Sequence, residues 1–248
     1  MTLFWHQLKA EQTVFWRNRE SAFFIFAFPL VLFLLLGSVY NGDVDGYRAS
    51  DLLLVGMLGY GSANTAFAGL AILLVVRREM GLLKRIRSTP LPSATYLAAA
   101  LASIVVVFAL EVVALFAVGI LLFGADGPER IASLLLVLLV GTVAFAGLGL
   151  AAAALIRSAD GVSAVVNLIV LPMAFLSGSF VPSQEYPQWL QGVAEVLPLK
   201  HLITLVTDVY LDGEPVWHDP VSILVVLAWG IAGLVVAMRR FGWEPRER

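Results

Sequence analysis

The chain has 248 residues, 60% of them hydrophobic and only 14% charged, with 16 Lys+Arg against 18 Asp+Glu. A soluble domain of this length needs more polar surface than that, so the bilayer is the expected solvent. The net charge of −2 gives no pointer to nucleic acid, and the lack of cysteine excludes disulfides, thiolate metal sites and iron–sulfur clusters.

The opening segment, MTLFWHQLKAEQTVFWRNRE, is too polar to span a membrane. It lacks the layout of a cleaved signal peptide, so it is expected to be retained. At about 100° per residue, Phe4, Leu8 and Phe15 share one face with Trp5 and Trp16 beside them, while His6, Thr13 and Arg17 face away. Glu11 and Arg19 interrupt the apolar stripe. The expectation is an interfacial amphipathic helix over 1–21 lying on membrane lipids, the plainer alternative being a cytoplasmic lead-in helix.

Six apolar stretches follow, at 22–40, 52–76, 96–123, 131–156, 162–181 and 221–238. A spanning helix needs about 20 apolar residues, and the short alternating segments of a closed barrel are absent from the sequence. The predicted fold is therefore an all-α integral membrane protein, a single transmembrane domain over 1–248 with six transmembrane helices. Five residues separate the fourth and fifth stretches, which form a tight hairpin. Lys9, Arg17, Arg19, Arg77, Arg78, Lys84, Arg85, Arg87, Arg157, Arg239, Arg240, Arg246 and Arg248 fall on one set of connections, and only Arg48, Arg130 and Lys200 on the other. Both termini are accordingly expected on the cytoplasmic side of the cell membrane.

Enzymatic signatures do not emerge. The lysines are Lys9, Lys84 and Lys200, none of them in a phosphate-binding loop, and His6, His201 and His218 form no metal-binding helix motif. The stretch Gly161-Val-Ser163-Ala-Val165 lacks the last glycine of a nucleophile elbow. The chain is expected to be no enzyme and to bind no cofactor itself. A polytopic membrane enzyme or assembly factor acting on lipid-soluble substrates is the alternative; it would cluster polar residues near one membrane face, and the sequence displays no such cluster.

Between the second and third stretches, over 77–95, lies the most informative segment, RREMGLLKRIRSTPLP. Leu82, Leu83 and Ile86 make a short apolar face, and Pro90 and Pro92 stop the helix. A short helix of this kind can rest on lipid or dock in a partner's groove. Glu79, Gly81, Leu83, Ile86, Thr89 and Pro90 match the pattern E-x-G, apolar helix, T-P of the ABC-2 type transporter permeases, which this chain resembles. Leu82 stands where members carry a hydroxyl residue, and Lys84 where an acid is common. A second match is Leu176-Ser-Gly178-Ser-Phe-Val-Pro182, followed by Leu197-Pro198-Leu-Lys-His201. In the family these mark a turn and an external hairpin of re-entrant half-helices before the last span, here within 182–220.

The resemblance implies a half-pore that pairs with a second copy or a paralogous permease and binds a separate ATPase subunit, which carries ATP and Mg. It implies that the segment around Glu79, Gly81, Leu83, Arg85, Ile86, Thr89 and Pro90 is the coupling helix, with Arg157 and Asp160 as a smaller contact. Gly178, Pro182 and Pro198 become gating or pathway positions, and the implied function is export of a hydrophobic or amphipathic substrate such as a drug, lipid or lipid-linked glycan. Glu111, the one carboxylate deep in a predicted span, is read either as a pathway or switch residue or as a protonated packing group.

Overall fold

The computed structural model describes residues 2–40, 42–44, 46–180 and 186–244. Pro182, Arg246 and Arg248 lie outside the described residues. Helix α1 (Thr2–Arg17) leads into the first apolar unit, built from α2 (Arg19–Ala22), a π-helical stretch (Phe23–Ala27) and α3 (Phe28–Val39). Pro29 follows that stretch, and Phe28 N–H bonds back to the Phe23 carbonyl, five residues earlier. A widened turn is a common answer to a proline that has no amide to give. A two-residue hairpin, β1 (Asp43–Val44) with β2 (Tyr47–Arg48), then reverses the chain.

The second apolar unit runs without a break from Ala49 to Glu79 as α4 (Ala49–Ser62), a π-helical stretch (Ala63–Gly69) and α5 (Leu70–Glu79). It ends three residues later than 52–76, so Arg77, Arg78 and Glu79 belong to a helix and not to a loop. Every residue from Leu53 to Ser62 is buried, the mark of a helix enclosed by others on all sides. Three glycines make that enclosure possible. A Cβ on Gly56 would lie 2.2 Å from the Ser179 carbonyl oxygen, one on Gly59 2.6 Å from Ile203, and one on Gly61 2.4 Å from Glu111. Each thus admits a different neighbour against the backbone.

After α6 (Leu82–Arg87), the long helices α7 (Ser93–Phe123) and α8 (Ile131–Leu155) follow, then α9 (Val162–Leu176). Helices α10 (Gln188–Ala194) and α11 (Pro198–Tyr210) form a hairpin before α12 (Pro220–Arg240). Helices α8 and α12 run side by side at backbone contact: a Cβ on Gly230 would meet Ala144 at 2.7 Å, and one on Gly233 would meet Gly147 at 2.7 Å.

Among the described residues four helices are long and apolar enough to cross a membrane: Ala49–Glu79, Ser93–Phe123, Ile131–Leu155 and Pro220–Arg240. Phe23–Val39 and Val162–Leu176 are apolar but shorter. The stretch expected over 162–181 stops early because Ser177 caps α9 and Gly178 turns left-handed at φ 87°, after which Ser179 N–H bonds back to the Ala174 carbonyl.

The two sets of connections separate to opposite ends of the bundle. At one end Arg48 reaches Asp51 (2.9 Å), Asp126 (3.2 Å) and the Gly124 carbonyl (2.6 Å), Tyr210 donates to the Asp126 carbonyl, and Tyr47 donates to Asp212. At the other end lie Glu11, Arg77 and Tyr96, with the Trp243 ring tilted against Tyr96, and the Arg78–Ile156 contact.

Candidate functional site

The basic segment is a helical elbow. Glu79 ends α5, where the helix dipole disfavours a carboxylate, and Arg78 Nε offsets this at 3.5 Å. Gly81 has φ 70° and ψ 9°, with open space where a Cβ would sit, so here the left-handed backbone and not crowding selects glycine. Helix α6 then presents two faces. Leu83 is fully buried and Ile86 packs on the core, whereas Leu82, Lys84, Arg85 and Arg87 are exposed.

The placement corrects the apolar face expected from Leu82, Leu83 and Ile86. Leu82 and Leu83 are about 100° apart on a helix, and the core takes only one of them. Leu82 instead joins Met80, which is 73% exposed, on the outward surface. Thr89 and Ser88 hydroxyls donate to the Ile86 and Arg85 carbonyls, both at 2.7 Å, which satisfies the open end of α6 before Pro90.

Behind the elbow are two arginines whose roles a charge count does not reveal. Arg78, with no exposed surface, donates to the carbonyls of Ala153 (2.7 Å) and Ile156 (2.6 Å) at the end of α8. A cation on orphan carbonyls at a helix C-terminus is favourable through both hydrogen bonding and the dipole. The contact also places the turn holding Arg157 and Asp160, both exposed, at the same end as the elbow. Arg77, 8% exposed, donates to Glu11 (2.8 Å) and to the Tyr96 hydroxyl (2.7 Å).

Glu11 therefore does not spoil an apolar stripe. It lies on the docking face of α1 with Phe4, Leu8 and Phe15, takes a further hydrogen bond from Gln7 (2.7 Å), and pins the helix to α5. Gln12 adds bonds to Ser103 on α7 at 2.9 Å. Trp5 and Trp16 are exposed at the edge of that face. The signal that finds this arrangement is a pair: one acid in the N-terminal helix and one excess arginine at the end of the second span.

The gating positions scatter. Gly178 is the turn after α9, and it delivers Phe180 into a stack with Tyr60 (5.3 Å) and Phe175 (4.8 Å). Pro198 opens α11 as its first residue and is buried. Glu111, with no exposed surface, accepts from Thr65 in the π-helical stretch at 2.9 Å and lies over Gly61. These positions do not converge on one point with the elbow.

His201, Ser222 and Asp219 form a chain: the Ser222 hydroxyl donates to Asp219, His201 Nδ1 meets that hydroxyl at 2.9 Å, and His201 Nε2 meets the Glu195 carbonyl at 2.9 Å. Serine stands in the middle and gives its proton to the carboxylate, so the imidazole is not placed to activate it as a nucleophile. The chain ties the α10–α11 hairpin to α12.

The chain is similar to known proteins over most of its length. Residues 2–211 match the family described as ABC-2 type transporter. YvfS of Bacillus subtilis, named as a transport permease, is 25% identical over 231 residues, covering 92% of this chain and 93% of that protein. The ycf38 protein of the alga Porphyra purpurea, also named as a transport permease, is 25% identical over 223 residues, 87% of this chain and 75% of that protein. Nodulation protein J of Rhizobium leguminosarum bv. viciae is 34% identical over 95 residues, 38% of this chain and 36% of that one.

Proposed function

The chain belongs to the ABC-2 type transporter family, and from that premise we propose that it is the membrane subunit of an exporter driven by ATP hydrolysis on a separate nucleotide-binding subunit. ATP and Mg stay on that partner, and the chain holds no ATPase site or cofactor of its own. It crosses the cytoplasmic membrane six times with both termini inside, the two shorter apolar helices completing the four long ones. Segregation of the cation-rich connections to one end of the bundle supports this orientation. Helices α10 and α11 re-enter from the far side: the Val196 carbonyl accepts from Trp229, nine residues into α12, and Ile203 lies on Gly59, well inside α4.

The single observation that carries the reading is the elbow from Glu79 to Pro90. It exposes Met80, Leu82 and a cluster of cations to a partner, yet stands on buried contacts to α8 and α1. Arg157 and Asp160 supply the smaller contact beside it. Closure of the ATPase pair on ATP shifts the elbow, by no more than the two states differ in contact with that partner. A second copy or a paralogous permease completes the path, and the substrate is hydrophobic or amphipathic, in keeping with apolar spans.

Reconstitution with a separate ABC ATPase subunit tests this. Glu79→Lys and Gly81→Trp should abolish substrate-coupled ATP hydrolysis while the helices still insert. Normal transport by those variants refutes the coupling assignment, and turnover of a lipid by the chain alone refutes the transporter class.

A further inference from the structure

We propose that the outward face of α1 built around Lys9 and Arg17 is a binding site for the phosphate of an anionic phospholipid. The sequence of α1 holds one acid, Glu11, and the fold turns it inward onto Arg77 at 2.7 Å. What remains outside is of one sign. Lys9 and Arg17 are exposed, two turns apart, and neither makes an ion pair among the described residues. They are eight residues apart, which sets them about 12 Å from each other along the axis. His6, Thr13 and Asn18 line the shallow groove between and beside them, while Arg19 and Glu20, both exposed, follow in α2 and offset each other in charge.

The flanks of the groove are apolar and open. Trp5 and Trp16 stand on one side and Leu3 and Val14 on the other, all exposed. A stripe of cations between two apolar borders fits a headgroup phosphate with acyl chains beside it, and tryptophan is suited to that depth. A soluble acidic partner would leave those borders in water. The opposite face of the same helix is already committed to the bundle through Glu11 and Gln12, so a lipid held here bears directly on an element fixed to the root of the elbow. The site stands on the geometry of α1 and does not depend on the ATPase assignment.

Each cation near an anionic surface is expected to be worth about fivefold in lipid retention. Full-length protein is exchanged into micelles doped with phosphatidylglycerol or phosphatidylcholine, and retained lipid is counted by native mass spectrometry. The wild type should keep phosphatidylglycerol in preference. Lys9→Gln with Arg17→Gln should weaken that preference roughly 25-fold, and the charge-preserving pair Lys9→Arg with Arg17→Lys should keep it. Equal retention of both lipids by the wild type overturns the proposal. So does an unchanged preference in the neutral pair, or an equal loss in Lys84→Gln with Arg87→Gln on α6, which would place the effect elsewhere. At matched ionic strength inorganic phosphate should strip no more lipid than chloride does; if it strips more, the groove reads free phosphate and the lipid assignment fails. Should the neutral pair misfold, the salt dependence of the wild type decides: raising salt from about 0.1 to about 1 M shortens screening from about 10 to about 3 Å, and retention insensitive to it is contrary to a phosphate held by these cations.

Discussion

At the scale of single residues, the buried cations set the terms. Arg77 and Glu11 share hydrogen bonds of 2.7 and 2.8 Å at positions 8% and 4% exposed. Removing one partner of such a pair costs more than the pair contributes, because the survivor keeps a buried charge. Glu11→Gln is thus expected to destabilise the protein by about 3–5 kcal/mol, read as a lowered midpoint of thermal unfolding in detergent. Glu11→Leu combined with Arg77→Met should recover much of that loss, and a double variant as unstable as the single one contradicts the argument. Little of this was legible beforehand. Position along the chain identifies Arg77 and Arg78 as cations at the end of a span, but the acid that Arg77 meets is 66 residues away and the carbonyls that Arg78 holds are 75 and 78 away, and a tally of charges carries no such distances.

Among the elements, the start of α12 shows how local chemistry sets a boundary. Asp219 accepts from the backbone of Val221 and Ser222, both at 3.1 Å, and from the Ser222 hydroxyl. Burial works against its charge, but the Ser222 and Val221 hydrogen bonds and the nearby His201 outweigh it and hold the carboxyl below its ordinary range. A carboxyl lowered in the folded state stabilises fully above its unfolded value of about 3.9 and loses that contribution as pH falls through the lower folded value. Asp219→Ala should therefore cost about 1 kcal/mol near neutral pH and flatten the acid limb of a stability–pH curve. An acid limb identical to wild type counts against the cap. Apolar length made the long helices readable from sequence, whereas the hairpin of α10 and α11 was expected from the family resemblance. The two π-helical stretches were not readable, since widening by one residue leaves the apolar run unchanged, and the early stop of α9 rests on a glycine conformation inside a run that is otherwise continuous.

For the whole molecule, orientation is the property on which the functional reading stands, and the absence of native cysteine gives a clean background for measuring it. Ser88→Cys, exposed after α6, should be protected from an impermeant maleimide in intact cells, and Trp217→Cys, exposed before α12, should react. The reverse pattern removes the cytoplasmic elbow and the coupling reading with it. The family signature was legible because it lies in backbone-determining residues: Gly81 in a left-handed turn, Gly178 in another, and prolines that end or begin helices at Pro90 and Pro198. The buried frame behind that signature was not, because it joins segments far apart in the chain.

The contact between α8 and α12 has a mechanical corollary. With Gly230 on Ala144 and Gly233 on Gly147 the two backbones meet with little side chain between them at these points, so the pair forms a single plank. Arg78 is bolted to one end of that plank through two carbonyls. A displacement of the residues just before Gly81 is therefore expected to reach the last helix through α8, by way of the two carbonyls that Arg78 holds.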